Sequence, residues 1–291
     1  MAIMKGSEFG ASILDLNGEA REKAILQTGL KTENLPSWLR GAWSPVTSGR
    51  ITYFAAPDYF SIGDNDDFLR VEATPDTFQT LATAYDAILP TRKMVDDIYR
   101  AANTKLVAKT YAPGDGKESS TERMIAHNTA TGNNHPSVTN LVAGSAKDVV
   151  IGPELDGSHV AIYGFQPDPK VFPHQPYSTI HTRDYLDYAH KGRLVSRIML
   201  LDGKTPISAF EVFKNPDLAP FVVDAEQLAK GVFVPVFPNK GLTFAVSASA
   251  PGSSSKGGSA GPAVAGAAIG GAIGGPAGIL LGGLAGAILG R

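Results

Sequence analysis

The sequence of 291 residues contains no cysteine. This absence excludes disulfide bonds, thiolate metal ligands and a cysteine nucleophile. An excess of charge of one sign is also lacking, because 26 basic and 28 acidic residues leave a formal net charge of -2. No dense cluster of lysine and arginine occurs along the chain. A protein without a basic surface has no general attraction for phosphate backbones, so we expect no nucleic-acid partner.

Motifs of nucleotide and metal enzymes are absent as well. Neither GxxxxGK[ST] nor GxGxxG before a helix occurs, which disfavours nucleotide-dependent chemistry, and HExxH is missing. The acidic stretch GDNDD at 63–67 resembles a calcium loop but lacks the closing glutamate, so a solvated turn is the better interpretation. The cofactor is therefore unknown, with a divalent metal left open and its ligands unassigned.

The composition is that of a globular protein, with 43% hydrophobic and 19% charged residues. Helix and strand patterns that do not alternate regularly predict an α+β fold, with a single mixed globular domain over 11–240. Residues 1–10 contain Gly-Ser-Glu-Phe, which is typical of a cloning remnant, and they are left out of the expected fold. No signal peptide is visible there, because the apolar core of such a segment is missing.

Capping residues and hydrophobic periodicity predict the individual elements. The clearest start is Thr74-Pro75-Asp76, which opens a helix expected to reach residue 90. Other helices are predicted over 16–30, 92–102, 121–130, 208–214 and 224–231. Strands are predicted over 50–56, 59–62, 149–151, 159–164 and 193–201.

The stretch IHTRDYLDYAHKGRLVSRIMLLDG at 180–203 concentrates more groups able to do chemistry than any other segment. Thr182 is expected to cap a short helix over 183–190, which places Asp187 and His190 three residues apart on one face. An aspartate beside a histidine can fix its tautomer and stabilise its charged form. The spacing therefore nominates His190 as a general base that Asp187 orients.

All six histidines fall between residues 127 and 190. His127 and His181 also have a hydrogen-bonding neighbour, so either is a candidate acid or second ligand, while Lys147 is a candidate electrostatic stabiliser. The other three histidines, at 135, 159 and 174, are interpreted as ordinary core or loop residues. The binding residues expected beside the catalytic set are Asn128, Asp148, Tyr185 and Arg193.

Two further interpretations concern the stretch Gly144-Ser145-Ala146-Lys147. Serine with lysine is a known pairing of nucleophile and base, so Ser145 is a weak candidate nucleophile, although GxSxG and SxxK are absent. The stronger interpretation makes Lys147 and Asp148 an ion pair, or polar groups of a cleft, at the start of a strand.

The C-terminal part differs in composition from the rest. Residues 241–262 form a linker rich in glycine and serine, and residues 263–290 carry no charge. Within the segment 263–291 a glycine recurs at every fourth position, at Gly266, Gly270, Gly274, Gly278, Gly282, Gly286 and Gly290. This glycine zipper predicts a helical tail that packs against identical chains or within a membrane. A disordered low-complexity tail in solution is the alternative.

Four stretches resemble a family of uncharacterised bacterial proteins without an established activity: PDYFSIG at 57–63, LPTRKMVDDIY at 89–99, LVAGSAKDVVI at 141–151 and HTRDYLDYAHKGRLV at 181–195. The resemblance covers most of residues 12–230 and implies one globular domain ending near residue 240. In that family the third motif has a histidine where this chain has Ser145. The fourth has a serine and a glycine at the positions of Ala189 and Lys191. The resemblance therefore implies that a site built on the third-motif histidine is altered here.

These features lead us to expect a secreted or delivered toxin or effector. Its hydrolase-like domain is expected to act on a cell-envelope polymer, and its tail to associate with a membrane. The alternative is a non-catalytic binding or assembly module whose tail oligomerises in membrane or permeabilises it. A structural component whose tail packs inside a larger assembly is a third, weaker interpretation.

Overall fold

The structure is a computed structural model that describes residues 4–112, 114–165 and 173–238. Helices and strands are intermingled along this part of the chain, so the predicted α+β class is confirmed. No helix within the described ranges is both long and apolar enough to cross a membrane. The predicted linker and glycine zipper lie outside the described residues.

The helices and strands are numbered in chain order. The α-helices are α1 (Gly6–Ser12), α2 (Gly18–Gly29), α3 (Ser37–Arg40), α4 (Pro75–Ala84), α5 (Arg92–Ala101), α6 (Thr121–Thr131), α7 (Ala209–Lys214) and α8 (Ala225–Ala229). The strands are β1 (Ser44–Ser48), β2 (Ile51–Ala55), β3 (Ser61–Gly63), β4 (Phe68–Arg70), β5 (Ala87–Ile88), β6 (Thr104–Lys105), β7 (Val142–Ala143), β8 (Lys147–Val149), β9 (Ile162–Gly164), β10 (Gln175–Ser178), β11 (His190–Lys191), β12 (Val195–Ser196), β13 (Ile198–Leu201) and β14 (Thr205–Ser208).

Strand β2 is the centre of the main sheet. It pairs antiparallel with β1, β12 and β13, while β14 extends the sheet beyond β13 and β5 extends it beyond β12. Ile51, Tyr53 and Ala55 of β2 are fully buried, because the β-branched and aromatic run ITYFA packs into the hydrophobic core. The strand predicted over 50–56 is therefore confirmed.

A second sheet, in the order β10-β9-β8-β11, carries the groups of the candidate site. Strands β8 and β11 are parallel, and their register sets His190 beside Lys147 and Lys191 beside Asp148. Successive side chains of a strand point to opposite faces. The first of these pairs therefore lies on one face of the sheet and the second on the other.

Side-chain caps account for the helices that the sequence predicted well. The hydroxyl of Thr74 accepts a hydrogen bond from the backbone N–H of Thr77, and Thr91 caps the start of α5 in the same way. Helix α4 nevertheless ends at Ala84, well before the predicted residue 90. The chain turns at Asp86, which has φ +53°, and then joins the main sheet as β5.

Apart from the helix over 183–190, the remaining predicted elements agree in type with the structure and differ in their bounds. The predicted strand over 193–201 is divided into β12 and β13 at Arg197, whose N–H donates to the carbonyl of Asp86, a long-range contact. The strand predicted over 159–164 is limited to β9, and the helix predicted over 224–231 is limited to α8.

The helix predicted over 183–190 is wrong. Residues 183–189 form turns and irregular structure, and His190 begins β11. Thr182 forms a β-bridge with His159 instead of capping a helix, and Arg183 extends to Asp76. The carboxylate of Asp187 accepts a hydrogen bond from the backbone N–H of Ala189, a local turn that competes with helix.

The N-terminal residues belong to the folded domain, so its expected start at residue 11 is too late. Helix α1 packs against β3 and β4, and Phe9 is 2% exposed. The N–H of Gly6 donates to the carbonyl of Asp67, and the hydroxyl of Ser7 donates to the Asp67 carboxylate. A Cβ at residue 6 would lie 2.5 Å from the backbone of Phe68, so this close approach requires glycine.

Candidate functional site

A cleft of about 800 Å³ opens between the start of α2 and the turn at 184–188. Its polar lining includes Arg21, Glu118, Lys147, Asp184, Tyr185 and Asp187. The polar side chains of this cleft therefore come from two turns, from the start of α2 and from the start of β8. Polar groups held on such a scaffold are the usual design of a binding or active site.

Lys147 and Asp187 form the central ion pair of the cleft. The Nζ atom lies 2.6 Å from Oδ2, and the two side chains are 19% and 8% exposed. Burial opposes the charge of Asp187, but Lys147 and the hydrogen bond from Ala189 outweigh it and hold the pKa of that carboxyl below its ordinary value. Asp187 therefore stays charged at neutral pH. The ion pair expected between Lys147 and Asp148 does not form, since Lys147 bonds to Asp187 instead.

The aromatic rings of His181, Tyr185 and His190 pack against one another beside this ion pair. The ring of His181 stacks on Tyr185 with a centroid distance of 3.9 Å and an interplanar angle of 9°. Tyr185 in turn contacts the ring of His190 at 5.7 Å in an edge arrangement. His181 is half-buried, and burial together with Lys147 lowers its pKa from the ordinary value. At neutral pH His181 is therefore a neutral imidazole that stacks on Tyr185, a residue of the cleft lining.

His190 packs against Tyr185 and is 1% exposed. Burial lowers its pKa to about 3, so the ring stays neutral across the physiological range. Both carboxylate oxygens of Asp187 accept other donors, Lys147 and the N–H of Ala189, while the backbone N–H of His190 donates to the Asp187 carbonyl. The two residues are close, as expected, but they are joined through the backbone. The catalytic role of His190 stays a prediction.

His127 lies on α6, behind the cleft-lining Tyr188. It is 2% exposed, its ring centroid lies 5.3 Å from that of Tyr188, and burial lowers its pKa to about 3. Asn128 does not orient this ring. Its carbonyl oxygen accepts from the backbone and guanidinium of Arg70, and its amide donates to Phe68.

Asp148 and Arg193 are interior residues that do not line the cleft. Asp148 accepts a hydrogen bond from the Tyr59 hydroxyl at 3.2 Å, and burial raises its pKa to about 7. The guanidinium of Arg193 lies 4.2 Å from the centre of the Tyr59 ring and donates to two backbone carbonyls. These contacts hold the second sheet to the core. The expected role of Asp148 and Arg193 in binding stays a prediction.

Three charged residues near the site were missed by the sequence analysis: Arg21, Glu72 and Lys191. Arg21 and Glu72 are 1% and 0% exposed, and Nη1 of the arginine lies 2.8 Å from Oε1 of the glutamate. Burial raises the pKa of Glu72 to about 7 and lowers that of Lys191 to about 8. Among the described residues the Nζ atom of Lys191 has no hydrogen-bond partner. For Glu72 and Lys191 the available signal was a charged residue beside apolar ones, in LRVEA and AHKGRLV.

Ser145 is also buried, at 1% exposed, and its hydroxyl has no partner among the described residues. In the acidic loop at 63–67, Asp64 accepts hydrogen bonds from the N–H groups of Asp66 and Asp67. These bonds give the loop the form of a turn. No group of three or more histidines and acids placed to hold a metal ion occurs in the ranges that the structure describes.

Comparison with protein-family models, with curated proteins and with solved structures returned no match.

Proposed function

We propose that the protein is a secreted or delivered effector, with a hydrolase-like domain that acts on a cell-envelope polymer and a glycine-zipper tail that engages a membrane. The observation that carries the enzymatic part is the Lys147–Asp187 ion pair beside the neutral ring of His181. Hydrolysis needs a group that accepts a proton from water and a cation that stabilises negative charge on oxygen. These three side chains supply both.

In this proposal His181 is the general base, in place of His190. His181 is half-buried and stacks on Tyr185, which lines the cleft, whereas His190 is almost fully buried at 1% exposed. Lys147 stabilises the oxygen that gains charge when water attacks, and Asp187 keeps the ammonium group charged and in place. Tyr185 holds the His181 ring by stacking, and His190 supports Tyr185 from below.

The membrane part of the proposal is supported by sequence alone. Seven glycines at every fourth position, from Gly266 to Gly290, would give a helix one face of small side chains that allows close packing. Ten or so glycines in a helix cost roughly 8–10 kcal/mol relative to alanine, so such a helix requires close partners. Identical chains in a membrane provide them.

A non-catalytic binding or assembly module is the second candidate function. The burial of His127 and His190, at 2% and 1% exposed, favours it, because two of the three nominated histidines are almost fully buried. In that case the tail alone would act, by oligomerising in membrane or permeabilising it.

Growth of a bacterium that expresses the full chain tests the proposal. The chain is produced in the cytoplasm or directed to the periplasm with an added export signal, as wild type, Lys147→Met, or Gly274→Leu with Gly278→Leu. Lys204→Met is the matched control, because Lys204 is exposed in the turn between β13 and β14. We expect killing from the periplasm that Lys147→Met abolishes and Lys204→Met retains.

Dye leakage from liposomes separates the two candidate functions. Killing that persists in Lys147→Met but is lost in the double glycine variant, together with leakage caused by purified Lys147→Met protein, would contradict the enzymatic proposal. That result would support a membrane-active tail carried by a binding module.

A further inference from the structure

We propose that the cleft contains a subsite for an oxyanion, a carboxylate or a phosphate group, formed by the start of α2, Arg21 and Lys147. The inference deepens the proposed function, because it assigns an acidic group to the polymer that the cleft binds. The inference is based on hydrogen-bond donors in the cleft that have no partner among the described residues.

Arg21 is the first of these donors. It lines the cleft although it is only 1% exposed. The contacts of its guanidinium with Ser119, Thr121 and Glu72 all use Nη1. The Nε atom is buried without a partner, whereas Nη2 also lacks a partner among the described residues but is not fully buried. Nη2 is therefore an Arg21 donor that keeps some access to solvent, and Arg21 is part of the cleft lining. Nε and Nη2 point in the same direction, the fork that suits a carboxylate or a phosphate.

The start of α2 supplies a second, independent set of donors. Asn17 is the N-cap residue but makes no side-chain cap hydrogen bond, and both Asn17 and Gly18 line the cleft. The first N–H groups of a helix have no partner within the helix, and the helix dipole favours an anion there. No atom lies within 4 Å of the position that a Cβ of Gly18 would take, so the approach to these N–H groups is open.

Lys147 contributes a cation from the other wall of the cleft. Its Nζ atom bonds to Asp187 and lies 5.7 Å from the centre of the Phe165 ring. An ammonium group has three donors, so Lys147 can still donate to a ligand.

The acids of the cleft do not cancel these donors. Asp187 is paired with Lys147, and the Glu118 carboxylate accepts the N–H of Gly114 at 2.7 Å. Asp184 is exposed, so water and salt screen its charge. An oxyanion at the α2 end of the cleft therefore meets unpaired donors first.

Binding of inorganic phosphate to the purified full-length protein tests the subsite without any activity assay. Phosphorus NMR follows the titration, and acetate is added as a competitor at constant ionic strength. The decisive variant is Asn17→Asp, which keeps the side-chain shape and places a carboxylate over the same N–H groups. Removing Arg21 would leave Glu72 without its cation and could unfold the domain, so Asn17→Asp gives the clearer result. Gln27→Glu adds the same charge at an exposed position of α2 away from the cleft.

We expect Asn17→Asp to weaken phosphate binding about tenfold without lowering the thermal midpoint, because aspartate is a good N-cap. Lys147→Met should weaken binding about threefold or more, and Gln27→Glu should change it less than about twofold. Displacement of phosphate by acetate supports a carboxylate as the natural group, and its absence supports a phosphate. Equal binding by Asn17→Asp and wild type, or no binding by wild type, would overturn the subsite. Failure of the killing assay would leave this binding result unaffected.

Discussion

Replacing the buried Glu72 with glutamine should change how the stability of the domain depends on pH. Burial is the largest influence on this carboxyl, and it raises the pKa from 4.5 to about 7 despite the nearby Arg21 and Lys191. A raised carboxyl pKa stabilises the fold at low pH, where the group is protonated. That contribution is lost as the pH rises from the unfolded pKa through the folded pKa. Glutamine resembles the protonated form and does not titrate.

The size of the expected change in unfolding free energy follows from the difference between the unfolded and folded pKa values of Glu72. Each pKa unit corresponds to about 1.4 kcal/mol, so the full effect is about 3 kcal/mol, most of it between about pH 5 and about pH 8.5. Titrating groups away from Glu72 are shared by the two proteins and largely cancel in the comparison, whereas the pKa of Lys191, which Glu72 raises, does not. Glu72→Gln should therefore gain roughly 2–3 kcal/mol of unfolding free energy over wild type as the pH rises across this range.

Urea unfolding followed by tryptophan fluorescence measures the effect, because Trp38 and Trp43 are 7% and 2% exposed and will report on the core. Both proteins are unfolded at several pH values under the same salt. Parallel curves of unfolding free energy against pH for Glu72→Gln and wild type would refute the reasoning, since they would mean that Glu72 does not titrate in this range.

Two further predictions concern histidines. His127 has a folded pKa of about 3 and an ordinary value of 6.5, so the unfolded chain takes up its proton first as the pH falls below 6.5. The wild type should lose roughly 2–3 kcal/mol more unfolding free energy than His127→Phe between about pH 7.5 and about pH 4.5, and equal losses in urea titrations would contradict this. For His181, the lowered pKa means that the active, neutral form persists below pH 6.5. The acid limb of the activity profile should therefore have its midpoint below pH 6.5, and a midpoint above that value would argue against His181 as the base.

Local sequence signals predicted those parts of the fold that local interactions determine. The caps at Thr74 and Thr91 marked true helix starts, because a side-chain oxygen within three residues satisfies the first N–H groups. The segment 183–190 failed for the opposite reason. Arg183 bonds to Asp76, 107 positions away, and no local pattern reports a contact of that kind.

The structure brings some of the predicted site residues together and separates others, and their functional roles stay predictions. Lys147, Asp187, Tyr185 and His181 do come together, since the parallel pairing of β8 and β11 joins the stretches around Lys147 and His190. Burial could not be inferred from residue type, and it separates His190 from the cleft. Arg21 and Glu72 escaped notice because their contact joins α2 to the residues after β4.

The central claim is that His181, stacked on the cleft-lining Tyr185, acts as the general base, and one comparison tests it most directly. His181→Asn and His135→Asn are expressed in the periplasm as full chains at equal levels. His135 is exposed and has φ +44°, a conformation that asparagine tolerates, so it provides a matched control. We predict that His181→Asn abolishes killing and that His135→Asn kills as wild type does. Undiminished killing by folded His181→Asn would contradict the account.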